Sequence, residues 1–156
     1  MKKDDIRFYV LCAMGLMLID RLTKYLVLYH LPHYKINSLL AIDLVFNRGI
    51  SFGLFHSSEV VIFAGVNVLI GSVIAMLVVH TYYRLRHEQS IIGEVCIFTG
   101  AISNVIDRYV YGGVIDFVAL SYQDWHFAVF NGADASIFCG VILMLFLEYG
   151  PVWKKK

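Results

Sequence analysis

The sequence predicts an all-α membrane protein: four transmembrane helices with a small extracytoplasmic β-rich cap, in a single integral membrane domain over residues 1–156. Three observations predict it. The chain is 59% hydrophobic with a mean hydropathy of +0.69, a balance that does not suit a soluble globular domain. Its apolar residues gather into four runs, each near the roughly 20 residues that cross a hydrocarbon core. Its basic residues are concentrated in some connecting segments and sparse in others, the asymmetry that orients helices in a bilayer.

The first run covers residues 8–29, broken only by Asp20, Arg21, Thr23 and Lys24. Lys2, Lys3 and Arg7 precede it as they would a secretory signal. However, no small-x-small cleavage site follows, and Asp20-Arg21 stands where one would lie, so a retained helix is expected. Residues 31–58 form the outer cap, because LLAIDLVF is rich in strand formers and leads into the glycine-containing NRGISFGLF. The second run, 60–79, carries no charge. The third spans 91–110, followed by an outer loop, 111–126, with Gly112-Gly113 and the amphipathic patch Tyr122 to Trp125. The fourth run is 127–149. Lys2, Lys3, Arg7, Arg84, Arg86 and Lys154–Lys156 fall at the termini and between runs two and three, whereas the other two loops hold only Lys35 and Arg48. Both termini are therefore expected in the cytoplasm. Cys12, Cys96 and Cys139 lie inside apolar runs and read as small buried residues without a disulfide framework. No basic patch interleaved with aromatics points to nucleic acid. His30 and His33 form an HxxH without a nearby third ligand, so neither a metal nor any other cofactor is expected.

With orientation set, depth follows from a rise of about 1.5 Å per residue. Asp20 lies ~18 Å above the inner end of its helix and Lys24 ~24 Å, while Asn104, Asp107 and Arg108 lie ~20–26 Å up theirs. Asn131 and Asp134 fall within ~10 Å of the outer end of the last helix. All converge on the outer third of the bilayer. Ionisable groups at such depth are costly unless paired or hydrated, and they mark functional sites. Asp20 and Lys24 can pair along one helix face. Asp107, with Asn104 a turn earlier and Arg108 beside it, reads as part of a supporting network. Asn67, alone in its run, reads as interhelical glue. Asn131 and Asp134 have the spacing of a cap residue and its N3 partner. A helix-start device and a chemical role for Asp134 both stay open. Asp116 follows two glycines and has no adjacent cation, so a turn could present it for chemistry or leave it as a plain loop residue. Two carboxylates held close lose their protons in separate steps, leaving one acid and one base near neutrality. Asp116 and Asp134 fit that requirement.

Five blocks in order then carry a resemblance: DRLTK at 20–24, FNRGISFG at 46–53, GAISNVIDR at 100–108, GGVIDF at 112–117 and FNGAD at 130–134. Each alone is weak, but the ordered set resembles the lipoprotein signal peptidases, or signal peptidase II. The resemblance implies a bacterial inner-membrane aspartic endopeptidase that removes the signal peptide just before a diacylglyceryl-modified cysteine. Its active site would face the periplasm. It further implies Asp116 and Asp134 as the catalytic pair, and Asn47, Asn104, Arg108 and Asn131 as polar supports or substrate contacts. Asp20 and Lys24, with Asp107, would form a structural network. The expected partners are a lipidated prolipoprotein and membrane lipids, and the expected state is a monomer. Ser103 and Ile50 are bulkier than the residues usual at those places and would alter the shape of the substrate pocket. The competing reading is a small proton- or ion-coupled membrane transporter, which would spread polar groups through the full depth of the bilayer and often shows two related halves.

Overall fold

Charge and hydropathy decide where the helices run. In the computed structural model, which describes residues 3–49, 60–122 and 125–153, α1 is Lys3–Tyr29, α2 Val60–Arg86, α3 Ile92–Tyr111 and α4 Gly132–Trp153. Helices α2 and α4 contain stretches long and apolar enough to cross a membrane, Val61–Arg86 and Gly132–Tyr149. Helices α1 and α3 are more polar because they bring in Asp20, Arg21, Lys24, Glu94, Asp107 and Arg108. Large apolar side chains point outward, among them Met76 and Phe146, about 70% exposed. The interior holds polar groups instead: Asp20, Lys24, Ser103, Asp107, Asp116 and Asn131 are each at most 3% exposed. In water this would be an inverted arrangement. In a bilayer the apolar surface meets lipid and the polar groups satisfy one another.

Four strands form one antiparallel sheet in the order β1-β2-β3-β4. Their ranges are β1 His33–Lys35, β2 Leu40–Asn47, β3 Val114–Tyr122 and β4 Trp125–Phe130. The strand formers of LLAIDLVF make up most of β2. The end of the expected cap, residues 50–58, and Ile50 to Gly53 of the second block lie outside the described residues. Two expectations need correcting. Residues 111–126 were expected as a loop but are largely strand, and 127–130 belong to β4 rather than to the last helix. The reason is non-local. VIDFVALSY becomes a strand because β2, about 70 residues earlier, supplies its partner, pairing Val45 with Asp116 and Asn47 with Val114. WHFAVF is a short apolar run whose periodicity does not separate strand from helix. Asp116 therefore sits on a strand rather than a turn.

The turn that delivers β3 uses the predicted glycines. Gly112 caps α3 at φ 71°, its N–H bonding the Arg108 carbonyl at 3.1 Å. That left-handed conformation suits a residue without a Cβ. A Cβ on Gly113 would lie 3.3 Å from the Asn47 carbonyl oxygen, so the two segments approach closely there. Beneath the sheet, Val27 of α1 packs with Ile115 and Phe117. Two lesser readings also change. Cys139 is exposed, and Cys12 and Cys96 are only partly buried. Asn67 donates to the Phe63 carbonyl of its own helix at 2.8 Å and, among the described residues, to no other helix.

Candidate active site

The site begins with helical periodicity. On α1, Asp20 and Lys24 are one turn apart, and their side chains pair at 2.9 Å. On α3, Ser103, Asn104, Asp107 and Arg108 fall on adjoining faces. Lys24 Nζ also meets Asp107 Oδ2 at 2.7 Å, and Arg21 bridges Asp107 Oδ1 at 2.7 Å and Asp20 Oδ2 at 3.1 Å. The Ser103 hydroxyl donates to Asp20 Oδ2 at 2.5 Å. The other Asp20 oxygen accepts the Ala133 N–H at 2.7 Å, so a carboxylate of α1 satisfies an orphan donor in the first turn of α4. Two acids and two bases thus tie α1, α3 and α4 together with their charges balanced.

On this network rest two further carboxyls. Asn131 and Asp134 form a reciprocal cap: Asp134 N–H donates to Asn131 Oδ1 at 2.9 Å, and Asn131 N–H reaches Asp134 Oδ2 at 3.3 Å. Asp134 Oδ1 accepts Asn104 Nδ2 at 2.9 Å. Asp116 accepts Asn131 Nδ2 at 2.7 Å and Asn47 Nδ2 at 2.9 Å. Asn131 therefore holds both acids, one through its amide and the other through its backbone. Asp116 and Asp134 line a single cavity of about 110 Å³, together with Asn47, Asn104, Arg108 and apolar residues including Ile70 of α2 and Ile137 of α4. Burial first, and then the neighbouring Asp134 carboxylate, push Asp116 up to about 7, against the opposing pull of its two asparagine donors. One group that can hold a proton at neutrality, beside a second carboxyl and room for a water, suits general acid–base chemistry.

All nine residues expected at the site meet in this one region, although not always in the expected pairings. Asp107 pairs with Lys24 and Arg21, not with adjacent Arg108. Arg108 instead donates to the backbone carbonyls of Gly49 and Arg48 and so ties α3 to the segment after β2. Ser103 does not line the cavity; its hydroxyl serves Asp20. Sequence reasoning missed Arg21, treated as a mere interruption of the first run, though as a basic residue between two acidic partners' helices it was visible. It also missed Glu94, wholly buried and paired with Arg84 at 2.9 Å, with His80 at 3.3 Å. A lone acid inside an apolar run was the available signal.

The family model for signal peptidase (SPase) II matches residues 12–149. Among curated relatives, the lipoprotein signal peptidase of Buchnera aphidicola subsp. Acyrthosiphon pisum is 30% identical over 154 residues, 95% of each chain. That of Dichelobacter nodosus is 34% identical over 145 residues, covering 90% of this chain and 92% of its own. A bacterial membrane enzyme solved by the in meso method at 2.3 Å resolution superposes with a TM-score of 0.76 at 23% identity. That match covers 97% of this chain and 93% of the other and speaks to the fold. With a family model covering most of its length and curated relatives at 30% identity or more, the chain belongs to the signal peptidase II family.

Proposed function

We propose that this chain removes signal peptides from prolipoproteins as an intramembrane aspartic endopeptidase, cutting just before a diacylglyceryl-modified cysteine, with Asp116 and Asp134 as its catalytic pair. One observation carries the proposal: both carboxyls open into the same cavity and are joined through Asn131. Asp116 carries the proton and Asp134 is the base. A water in the cavity gives a proton to Asp134 as its oxygen attacks the scissile carbonyl, and Asp116 protonates the carbonyl oxygen. The resulting diol collapses: Asp134 passes its proton to the departing nitrogen, the C–N bond breaks, and a diol hydroxyl returns a proton to Asp116. The pair ends as it began. Asn47 and Asn131 hold Asp116. Asn104 holds Asp134, and Arg108 fixes the segment at Arg48–Gly49 beside the cavity.

All four helices would cross the bacterial inner membrane, with both termini cytoplasmic and the sheet and acid pair toward the periplasm. The distribution of basic residues and the outward apolar side chains support this placement. The chain would work as a monomer surrounded by lipid. The transporter reading has no support, because the family and the curated relatives are peptidases.

The test uses purified protein in detergent with a diacylglyceryl-modified preprolipoprotein, cleavage being followed by mobility shift. Wild type cleaves it and leaves a substrate with unmodified cysteine intact. Asp116→Asn and Asp134→Asn each lose activity by about a thousandfold or more. Full activity in either variant refutes the pair.

A further inference from the structure

Lys24 Nζ, 2% exposed, meets three acceptors: Asp107 Oδ2 at 2.7 Å, Asp20 Oδ2 at 2.9 Å and Asn104 Oδ1 at 2.9 Å. An ammonium has three donors and no acceptor, so these contacts use its full capacity. The third contact has a consequence for Asn104. The two ends of a carboxamide are alike in shape and opposite in hydrogen bonding, and only the carbonyl end can face an ammonium. The NH2 end is thereby turned toward Asp134, which it meets at 2.9 Å. The same Asn104 oxygen also accepts Asn131 Nδ2 at 3.2 Å, and that nitrogen holds Asp116 at 2.7 Å.

We propose that Lys24 is a positioning residue for the reaction, acting through Asn104: its ammonium fixes the amide orientation that gives Asp134 a donor, and so decides which acid of the pair stays ionised. The inference rests on the acid-pair reading above. The charged groups around this junction are Asp20 and Arg21 of α1, Asp107 and Arg108 of α3, Asp116 of β3 and Asp134 of α4. Arg21 is engaged by Asp20 and Asp107, and Arg108 by backbone carbonyls. Among the described residues neither donates to Asn104. A lysine that only neutralised Asp20 and Asp107 would affect stability. One that orients Asn104 also sets the pH at which the base becomes available.

The experiment measures kcat and KM against pH for the full chain, with the lipidated preprolipoprotein in detergent. Lys24→Met alone leaves two buried carboxylates short of a cation, so it is combined with Asp107→Asn to keep charge balanced, with Asp107→Asn as the reference. Relative to that reference, the double variant is expected to lose kcat by about tenfold or more with KM within about twofold, its acidic limb moving to higher pH by about one unit. Lys24→Arg, which still donates, keeps the limb near wild type. In a background carrying both Asn104→Ala and Asp107→Asn, adding Lys24→Met changes kcat by less than about twofold, because the route through Asn104 is gone. Asn104→Ala alone leaves every ion pair intact and is expected to move the acidic limb upward. An unmoved limb in that variant overturns the proposal however the Lys24 variants fold. Undiminished loss when Lys24→Met is added to the Asn104→Ala, Asp107→Asn background overturns it as well. Full cleavage by Asp116→Asn or Asp134→Asn instead refutes the acid pair itself, so the two failures are told apart.

Discussion

Asn131 joins tasks that can be separated by substitution. Its side-chain oxygen caps α4, its backbone N–H meets Asp134, and its NH2 group meets Asp116. A cap alone can be supplied by serine. Asn131→Ala is therefore expected to cost about 1–2 kcal/mol in thermal unfolding, while Asn131→Ser recovers part of that stability. Neither variant recovers cleavage, because neither restores a donor to Asp116. Recovery of activity by serine would show that the Asp116 contact is dispensable. Asn47 allows a second test, in pH. Its NH2 donates to Asp116 and favours the ionised form, so Asn47→Ala should push Asp116 further above about 7. A proton donor that keeps its proton longer stays competent to higher pH, so the alkaline limb of kcat should move upward. An unmoved limb would remove Asp116 as the acid. At this scale the sequence was legible where a role depends on nearby spacing, as in the cap at Asn131 and Asp134 or the Asp20–Lys24 pair. The charge of Arg21 was visible, but its bridge to Asp107 and the bond from Ser103 to Asp20 were not, since those partners lie more than 80 residues away and only packing reveals them.

Among the helices, α3 and α4 come into backbone contact, and small residues permit it. A Cβ on Gly140 would lie 2.6 Å from the Gly93 carbonyl oxygen, and one on Gly93 would lie 2.7 Å from the Met144 backbone nitrogen. These are backbone atoms, which cannot yield as a flexible side chain does. Close backbone contact of this kind is how membrane helices associate without a hydrophobic driving force between them. Gly140→Ala should therefore force the pair apart, at about 1–3 kcal/mol in detergent unfolding. Cleavage should fall too, since α4 carries Asp134 and α3 its Asn104 donor. A variant as stable and active as wild type would mean that the helices are not packed this way. The helices were legible from apolar runs because a helix satisfies its own backbone and needs no distant partner. The sheet was legible only in β2, since β3 and β4 depend on pairing that joins distant parts of the chain. That explains why Asp116 was read onto a turn when the β2 register places it on a strand beside Asn47.

For the whole molecule, the polar interior sets a conflict between stability and chemistry. The network of Asp20, Arg21, Lys24 and Asp107 is charge-balanced, whereas Asp116 has another carboxyl as its neighbour and, among the described residues, no cation as a hydrogen-bond partner. Its folded form keeps a proton up to about 7, while an ordinary aspartate gives it up near 3.8. Between those values the folded chain binds a proton that the unfolded chain has released. This contribution to stability is full below the unfolded value and is lost as pH rises through the folded one. Wild type should thus lose stability from pH 5 to pH 8. Asp116→Asn cannot titrate there, and whatever fixed cost its amide brings is the same at both pH values. The variant should therefore gain on wild type by on the order of 2 kcal/mol between pH 5 and pH 8, while cleaving nothing at either. Unfolding midpoints for both proteins at the two pH values provide the measurement. Parallel curves would mean that Asp116 ionises as easily in the folded chain as in water, and an acid of that kind could not hold the proton the reaction needs.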